Sequence, residues 1–255
     1  MAGAADTTPP VFLVPELPEG EFATLDGEEA HHAVTVRRLR TGERLTLSDG
    51  HGGVADCVTV AAHPGRKPIV ELRVVATHTV RAPALRVTVV QALAKGDRGE
   101  LAVELATEAG ADAIVPWRAA RSVVRWDDGA RTEKALGKWR STARAAAKQA
   151  RRAWVPEVAE PVTTRDLAAV LSEADLALVL DGDAPEGITE VPLPSEGELV
   201  LVVGPEGGVA PEELAAFTAA GARRVRLGPT VLRTSTAAAV ALGALGALTA
   251  RWAQA

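Results

Sequence analysis

Leu199-Val200-Leu201-Val202-Val203-Gly204-Pro205-Glu206-Gly207-Gly208 runs from an apolar strand into a glycine-rich turn, and Pro211-Glu212-Glu213-Leu214 then opens a helix. An uninterrupted apolar run of this kind predicts a buried strand. Pro205 fixes one backbone angle, while Gly204, Gly207 and Gly208 allow positive φ and a close approach of the main chain to a bound molecule. A strand-to-helix turn at the carboxyl edge of a sheet is where open α/β folds bind small molecules. This turn carries a carboxylate, Glu206, and no Lys or Arg, which suits a phosphate poorly. The plainer alternative is a tight connection between a strand and a helix.

Outward from this stretch, strands and helices alternate. Upstream, Leu85 to Val90 reads as a strand, Arg98 to Ala109 as a helix stopped by Gly110, and Ala113-Ile114-Val115 as a strand. A basic helix is expected over roughly Arg131 to Arg151, another helix over Thr164 to Ser172, and a strand over Leu176 to Leu180 ending in Asp181-Gly182. Downstream, Val225 to Gly228 reads as a strand and about Ser235 to Trp252 as an Ala- and Leu-rich helix. The alternation predicts an α/β domain on a mostly parallel sheet covered on both faces.

Before residue 81 the rhythm differs. Short alternating runs at Val11 to Val14, Arg44 to Leu47, Val54 to Val60 and Ile69 to Val75 predict a small β-barrel, with Asp49-Gly50 and Gly52-Gly53 supplying a hairpin turn. Gly27 to Val36 is its one helical piece, and Arg81-Ala82-Pro83-Ala84 reads as a linker. The expected boundaries are therefore residues 1–80, a linker at 81–84, and 85–255.

The single cysteine, Cys57, excludes a disulfide framework and reads as a strand residue. No apolar run approaches a membrane span, and the first ten residues lack the basic and apolar regions of a signal peptide, so a soluble cytoplasmic protein is expected. The net charge is −5, yet Arg118 to Trp154 holds eleven Lys and Arg against three acids, a local +8 that leaves −13 for the rest. One concentrated basic region on an acidic chain is the electrostatic footprint of polyanion binding. A solvated helix face is the competing reading, although acid partners within the segment are scarce.

A second glycine turn, Leu227-Gly228-Pro229-Thr230-Val231-Leu232-Arg233-Thr234-Ser235-Thr236, follows at the end of the next strand. Two strand ends with such turns make one pocket. Thr234, Ser235 or Thr236 is expected to cap the last helix, and Arg233 is placed to meet a polar substrate. No P-loop, Rossmann fingerprint or nucleophile elbow occurs. The histidines, His31, His32, His51, His63 and His78, show no metal-ligand spacing, so no metal is expected.

Several motifs occur together and in order: Ala92-Leu93-Ala94-Lys95-Gly96-Asp97-Arg98, Glu104 to Gly110, Ile114-Val115-Pro116, Arg121-Ser122-Val123-Val124-Arg125, and both glycine turns. His31-His32 and Val36-Arg37-Arg38-Leu39-Arg40-x-Gly42 precede them. In combination, over nearly the whole chain, they resemble the ribosomal RNA small subunit methyltransferase E family.

That resemblance implies a SPOUT-type α/β methyltransferase domain with a trefoil knot, preceded by a PUA-like β-barrel that binds RNA. It implies a homodimer that methylates N3 of a uridine in the decoding region of 16S rRNA, using the assembled small ribosomal subunit and S-adenosylmethionine. The cofactor would be held by Leu180, Val203, Gly204, Pro205, Glu206, Gly207, Gly208, Leu227, Gly228, Val231, Leu232 and Thr234. Removing the N3 proton needs an acceptor and a cation near the uracil anion. Glu206 is the candidate base and Arg233 the candidate anion stabiliser; Glu206 as a loop-ordering acceptor and Arg233 as a phosphate clamp remain open. Arg37, Arg38, Lys95, Arg98, Arg121, Arg125, Arg144, Lys148, Arg151 and Arg152 are the expected RNA contacts. The chain departs from the family pattern in three places. Thr8-Pro9-Pro10 lacks a basic residue before the first strand, Ala145 and Lys148 replace two acids, and Ser235 stands where Glu or Ala is common. A non-enzymatic RNA-binding or ribosome assembly factor, and a SPOUT methyltransferase with another RNA target, are the alternatives.

Overall fold

The computed structural model describes residues 8–126 and 129–253. Residues 1–7, read above for a leader, and Asp127-Asp128 of the basic segment lie outside the described residues. The chain forms two compact units: one extends to Ala82 and takes in Lys148–Trp154, and the other comprises Pro83–Ala147 and the residues from Val155 onward.

The first unit contains β1 (Val11–Leu13), β2 (Phe22–Leu25), α1 (Gly27–His31), β3 (Arg44–Ser48), β4 (Gly53–His63) and β5 (Ile69–Thr79). Its sheet follows the order β1-β3-β4-β5-β2, antiparallel except for β1 with β3. The expected hairpin joins β3 and β4. Asp49 closes it by accepting from the backbone N–H of His51 at 2.7 Å and of Gly53 at 2.9 Å. The helical piece splits into α1 and a π-helical turn over His32–Val36. Phe12, Leu45, Leu47, Val70 and Leu72 form the core. Cys57 is buried in β4, where burial first and Asp56 second push its thiol up to about 11. Residues 148–154 join this unit because Gly52 N–H donates to the Ala153 carbonyl and Trp154 Nε1 to the Val80 carbonyl, both at 2.9 Å. A sequence reading by local periodicity has no access to such distant pairings.

The second unit contains β6 (Leu85–Ala92), α2 (Arg98–Glu108), β7 (Ala113–Arg118), α3 (Gly129–Gln149, whose last residues belong to the first unit), β8 (Glu157–Val158), β9 (Val162–Thr163) and α4 (Thr164–Glu173). It continues through β10 (Leu176–Leu180), β11 (Gly197–Val203), α5 (Pro211–Ala219), β12 (Arg223–Val225) and α6 (Thr234–Leu248). The sheet runs β12-β10-β11-β6-β7-β8, with β9 also paired to β7, and every pairing is parallel.

The apolar run that completes β11 explains the layering. Leu199, Leu201 and Val203 point into a core shared with Val103 of α2, Leu136 and Trp139 of α3, and Leu242 and Leu245 of α6. Val200 and Val202 point the other way, against Leu167 and Leu171 of α4 and Phe217 of α5. With both faces covered, a polar residue has no place in the run.

Three local expectations are corrected. The strand expected at Val225 to Gly228 lies earlier, at Arg223–Val225, because its partner β10 ends at Leu180 and Arg226 bonds instead to the backbone of Glu186 and Ile188. The last helix stops at Leu248. Thr249 is extended and its hydroxyl bonds the Leu245 carbonyl at 2.6 Å, so Ala250–Trp252 forms a separate 3-10 turn. No side chain caps α6: Arg233 occupies the N-cap position, and the Thr234 hydroxyl turns to the Gly204 carbonyl.

Candidate functional site

A cavity of about 690 Å³ opens at the carboxyl ends of β10, β11 and β12. Every residue expected to hold a cofactor lines it: Leu180 ends β10, Val203 to Gly208 follow β11, and Leu227, Gly228, Val231, Leu232 and Thr234 follow β12. Arg233 lines it too. Arg98, Asp181, Gly182 and Asp183 complete much of the remaining wall.

The glycine turn is built by close contacts. Gly208 has φ +70°, a left-handed conformation that strains any other residue, and its N–H bonds the Pro205 carbonyl at 2.9 Å. Gly204 keeps a negative φ and is needed for space, since a Cβ there would lie 2.8 Å from Val209 Cγ2. The two glycine turns are tied through Thr234, whose hydroxyl donates to the Gly204 carbonyl at 2.7 Å and accepts from Gln91 Nε2 at 3.0 Å.

Glu206 is not a free carboxylate. Its Oε1 accepts from Arg98 Nη1 at 2.9 Å and from the Lys95 backbone N–H at 3.2 Å. Partial burial pulls its pKa upward, but the hydrogen bond to its own backbone N–H, the Arg98 guanidinium and the Lys95 N–H outweigh it and hold the carboxyl below the usual glutamate range. Arg233 is exposed, and its guanidinium has no ion-pair partner among the described residues.

Asp181, at the Asp-Gly turn ending β10, is held by Arg224 Nε at 2.7 Å and accepts from the Asp183 N–H at 3.1 Å. Arg223 grips Glu186 through both guanidinium nitrogens that face it, and Arg226 reaches the Ala184 carbonyl at 3.0 Å. The Arg-rich strand β12 thus immobilises the loop after β10. The Asp-Gly turn is visible in the sequence, but no local motif marks Asp181 or Asp183 as lining residues, nor Gln91 and Glu213 as supports of the turns.

The expected RNA contacts divide between the units. Lys95, Arg121, Arg125 and Arg144 are exposed in the second, with Arg98 half-buried beside Glu206. Arg121 Nη1 donates to the Gly207 carbonyl at 3.0 Å, which joins one candidate RNA contact directly to the glycine turn. In the first unit Arg37, Arg38 and Arg151 are exposed and Arg152 is half-buried. Lys148 differs: it pairs with Glu29, donates to His32 Nδ1 at 3.2 Å and lies 5.0 Å from the Phe12 ring centroid, so its charge is engaged within the unit. Burial, and then Lys148, lower the pKa of His32. Lys138 with Glu100 and Arg140 with Glu160 likewise find acid partners remote in sequence. Among the described residues no cluster of His, Cys, Asp and Glu could hold a metal, and no helix is long and apolar enough to cross a membrane.

A family model described as an RNA methyltransferase domain matches residues 81–246, and one described as an RNA methyltransferase PUA domain matches residues 25–67. Ribosomal RNA small subunit methyltransferase E of Mycobacterium bovis is 53% identical over 247 residues, covering 95% of this chain and 93% of that protein. The Bacillus subtilis protein of the same name is 30% identical over 237 residues, covering 90% and 91%. A crystal structure of the Neisseria gonorrhoeae protein of this name, bound to S-adenosyl methionine, superposes with a TM-score of 0.81 at 27% identity, over 94% of this chain and 98% of that one. Since the likeness runs through both units and through nearly the full length of these relatives, the chain belongs to the ribosomal RNA small subunit methyltransferase E family.

Proposed function

We propose that this chain methylates N3 of a uridine in the decoding region of 16S rRNA, within the small ribosomal subunit, with S-adenosylmethionine as methyl donor. The observation that carries the reading is the cavity formed by both glycine turns, with Arg233 at its wall. The lining fits this cofactor. Carboxylates of Asp181, Asp183 and Glu206 line the cavity, the first and last already paired with Arg224 and Arg98, and a Cβ at Gly228 would meet no atom of the chain within 4 Å, so the wall there borders open space. Backbone groups of the two turns would hold the adenine, and the bound cofactor supplies an electrophilic methyl group.

The chain's own part is to position the uracil and stabilise its charge. Uridine N3 is a poor nucleophile until its proton leaves. Arg233, exposed and without an ion-pair partner among the described residues, is assigned to the uracil anion, where a guanidinium stabilises charge as it develops and reduces the demand on a base. Of the two roles open at Glu206, the depressed carboxyl and the Arg98 bond favour loop ordering, because a carboxylate so held is a weak proton acceptor. The RNA backbone is assigned to Arg37, Arg38 and Arg151 of the PUA-like unit and to Lys95, Arg121, Arg125 and Arg144 of the methyltransferase unit.

A homodimer is supported by Val240, Leu248 and Trp252, exposed apolar residues on and just after α6. A SPOUT-type domain with a trefoil knot is in keeping with the all-parallel sheet covered by helices on both faces. A cytoplasmic location accompanies the ribosomal substrate.

The test is to incubate the protein with labelled S-adenosylmethionine and undermethylated small subunits, then map the label by mass spectrometry. One uridine labelled at N3 is the expected result. Label on another RNA or atom would redirect the substrate assignment. RNA binding without transfer by folded protein would establish the non-enzymatic alternative.

A further inference from the structure

Glu213 is a charged side chain that is 4% exposed and has no ion-pair partner among the described residues. Its carboxylate is filled by neutral donors. Oε1 accepts from the Ala120 backbone N–H at 2.8 Å and from Thr164 Oγ1 at 2.7 Å, and Oε2 accepts from the Ala210 N–H at 3.1 Å. Its place in the first turn of α5 adds the favourable end of the helix dipole. A buried ion without a counter-ion is a costly way to gain stability alone, so what it connects becomes informative.

The three donors come from three segments that meet at this carboxylate. Ala210 lies just after the glycine turn, Thr164 begins α4, and Ala120 immediately precedes Arg121. Arg121 in turn holds the Gly207 carbonyl at 3.0 Å, and a Cβ on Gly207 would lie 3.4 Å from the Arg121 Cβ. Gly207 leads into Gly208, the one residue of the turn in the left-handed region. A continuous set of contacts therefore runs from the Glu213 carboxylate through Ala120 and Arg121 to the carbonyl that orients the turn.

We propose that Glu213 is a positioning residue for the cofactor turn: it seats the segment carrying Arg121 so that the guanidinium holds the Gly207 carbonyl, linking an RNA-facing arginine to the cofactor side of the site. The proposal rests on the reading that the cavity binds S-adenosylmethionine. Glutamine at 213 keeps an acceptor for Ala120 and Thr164 but sets an NH2 group against the Ala210 N–H. The loss of a hydrogen bond to a charged group is the scale of the perturbation, so Glu213→Gln is expected to raise Kd and KM for S-adenosylmethionine about tenfold with a smaller change in kcat. Thr164→Val, which removes one donor to Glu213 and also the acceptor of Trp117 Nε1 at 3.2 Å, is expected to raise both about threefold and to lower Tm.

The experiment measures S-adenosylmethionine affinity by calorimetry, steady-state kinetics on small subunits, Tm and amide exchange at Gly207-Gly208 for the wild type, Glu213→Gln, Thr164→Val, Arg121→Ala and the Glu213→Gln/Arg121→Ala double variant. Because the two residues act through one set of contacts, the double variant should be little worse than the worse single variant, and Glu213→Gln should speed exchange at the turn. A fall in Tm with unchanged affinity and exchange overturns the proposal, as does a double variant whose losses multiply. Failure of the wild type to bind S-adenosylmethionine overturns the cofactor reading together with this proposal, whereas binding by the wild type that Glu213→Gln leaves intact overturns this proposal alone.

Discussion

Replacing Thr234 by valine preserves side-chain volume and removes a single oxygen that makes two hydrogen bonds, one from Gln91 Nε2 at 3.0 Å and one to the Gly204 carbonyl at 2.7 Å. Thr234 is 6% and Gln91 1% exposed, so the freed Gln91 amide does not return to bulk water, whereas the Gly204 carbonyl is half-buried at the cavity wall. A hydrogen bond contributes about 0.5–1.5 kcal/mol net, and a buried polar group left without a partner costs about 1–3 kcal/mol. Gln91 Nε2 keeps the Ala92 carbonyl at 3.2 Å and the Gly204 carbonyl borders the cavity, so the expected loss is that of the two hydrogen bonds themselves, about 2 kcal/mol. In a protein of this size that corresponds to a fall in Tm of about 4–8 °C. Denaturant unfolding with and without S-adenosylmethionine measures it, and because Gly204 belongs to the turn proposed to hold the cofactor, affinity should fall as well. Gln91→Leu supplies the control: removing both buried partners leaves fewer unmet groups, so the Gln91→Leu/Thr234→Val double variant should lose less than the sum of the single losses. A Thr234→Val loss under about 0.5 kcal/mol with unchanged affinity, or full additivity, would refute the reasoning.

Gly208→Ala places a Cβ at φ +70° and is expected to destabilise by about 1–2 kcal/mol, read from the shift in denaturant midpoint, with weaker cofactor binding by calorimetry. Arg98→Met removes the guanidinium that helps hold the Glu206 carboxyl below its usual range. Since a depressed carboxyl stabilises above its unfolded pKa and loses that contribution as pH falls through the folded value, the variant's acid loss of cofactor affinity should begin at higher pH, and an unchanged pH profile would count against the Arg98–Glu206 link. Arg125→Ala should weaken RNA binding and lower its salt slope by about one, whereas Lys148→Ala, whose cation is engaged by Glu29 and His32, should leave the slope unchanged and lower stability instead; filter binding over a salt series separates the two.

Much of the site was legible because it is contiguous. The runs Val203 to Gly208 and Leu227 to Thr234 each occupy one strand end, and the sheet brings both ends to the same cavity. Glycine, proline and an interrupted apolar pattern record such turns locally. The supports of the site were less legible. Gln91 reaches Thr234 across 143 positions, Arg98 reaches Glu206 across 108 and Ala120 reaches Glu213 across 93, so no window of sequence contains both members. The basic segment shows the same limit: scarce acids nearby made Lys138, Arg140 and Lys148 look unpaired, yet Glu100, Glu160 and Glu29 meet them in the fold.

By itself the sequence determined the layer architecture, since the apolar runs at Leu199–Val203 and Leu176–Leu180 leave no face for water and demand helices on both sides of a parallel sheet. It also determined where the chain turns sharply enough to admit a ligand, because the tolerance of glycine and the restriction of proline are properties of single residues. Only the tertiary structure decided which charges are available. The pairing of Lys148 with Glu29, the bonds of Glu206 to Arg98 and to the Lys95 N–H, and the donors that Ala120 and Thr164 bring to Glu213 all join groups far apart along the chain. Electrostatic and hydrogen-bond energies act over a few ångströms of space, and that proximity exists only once the sheet has formed.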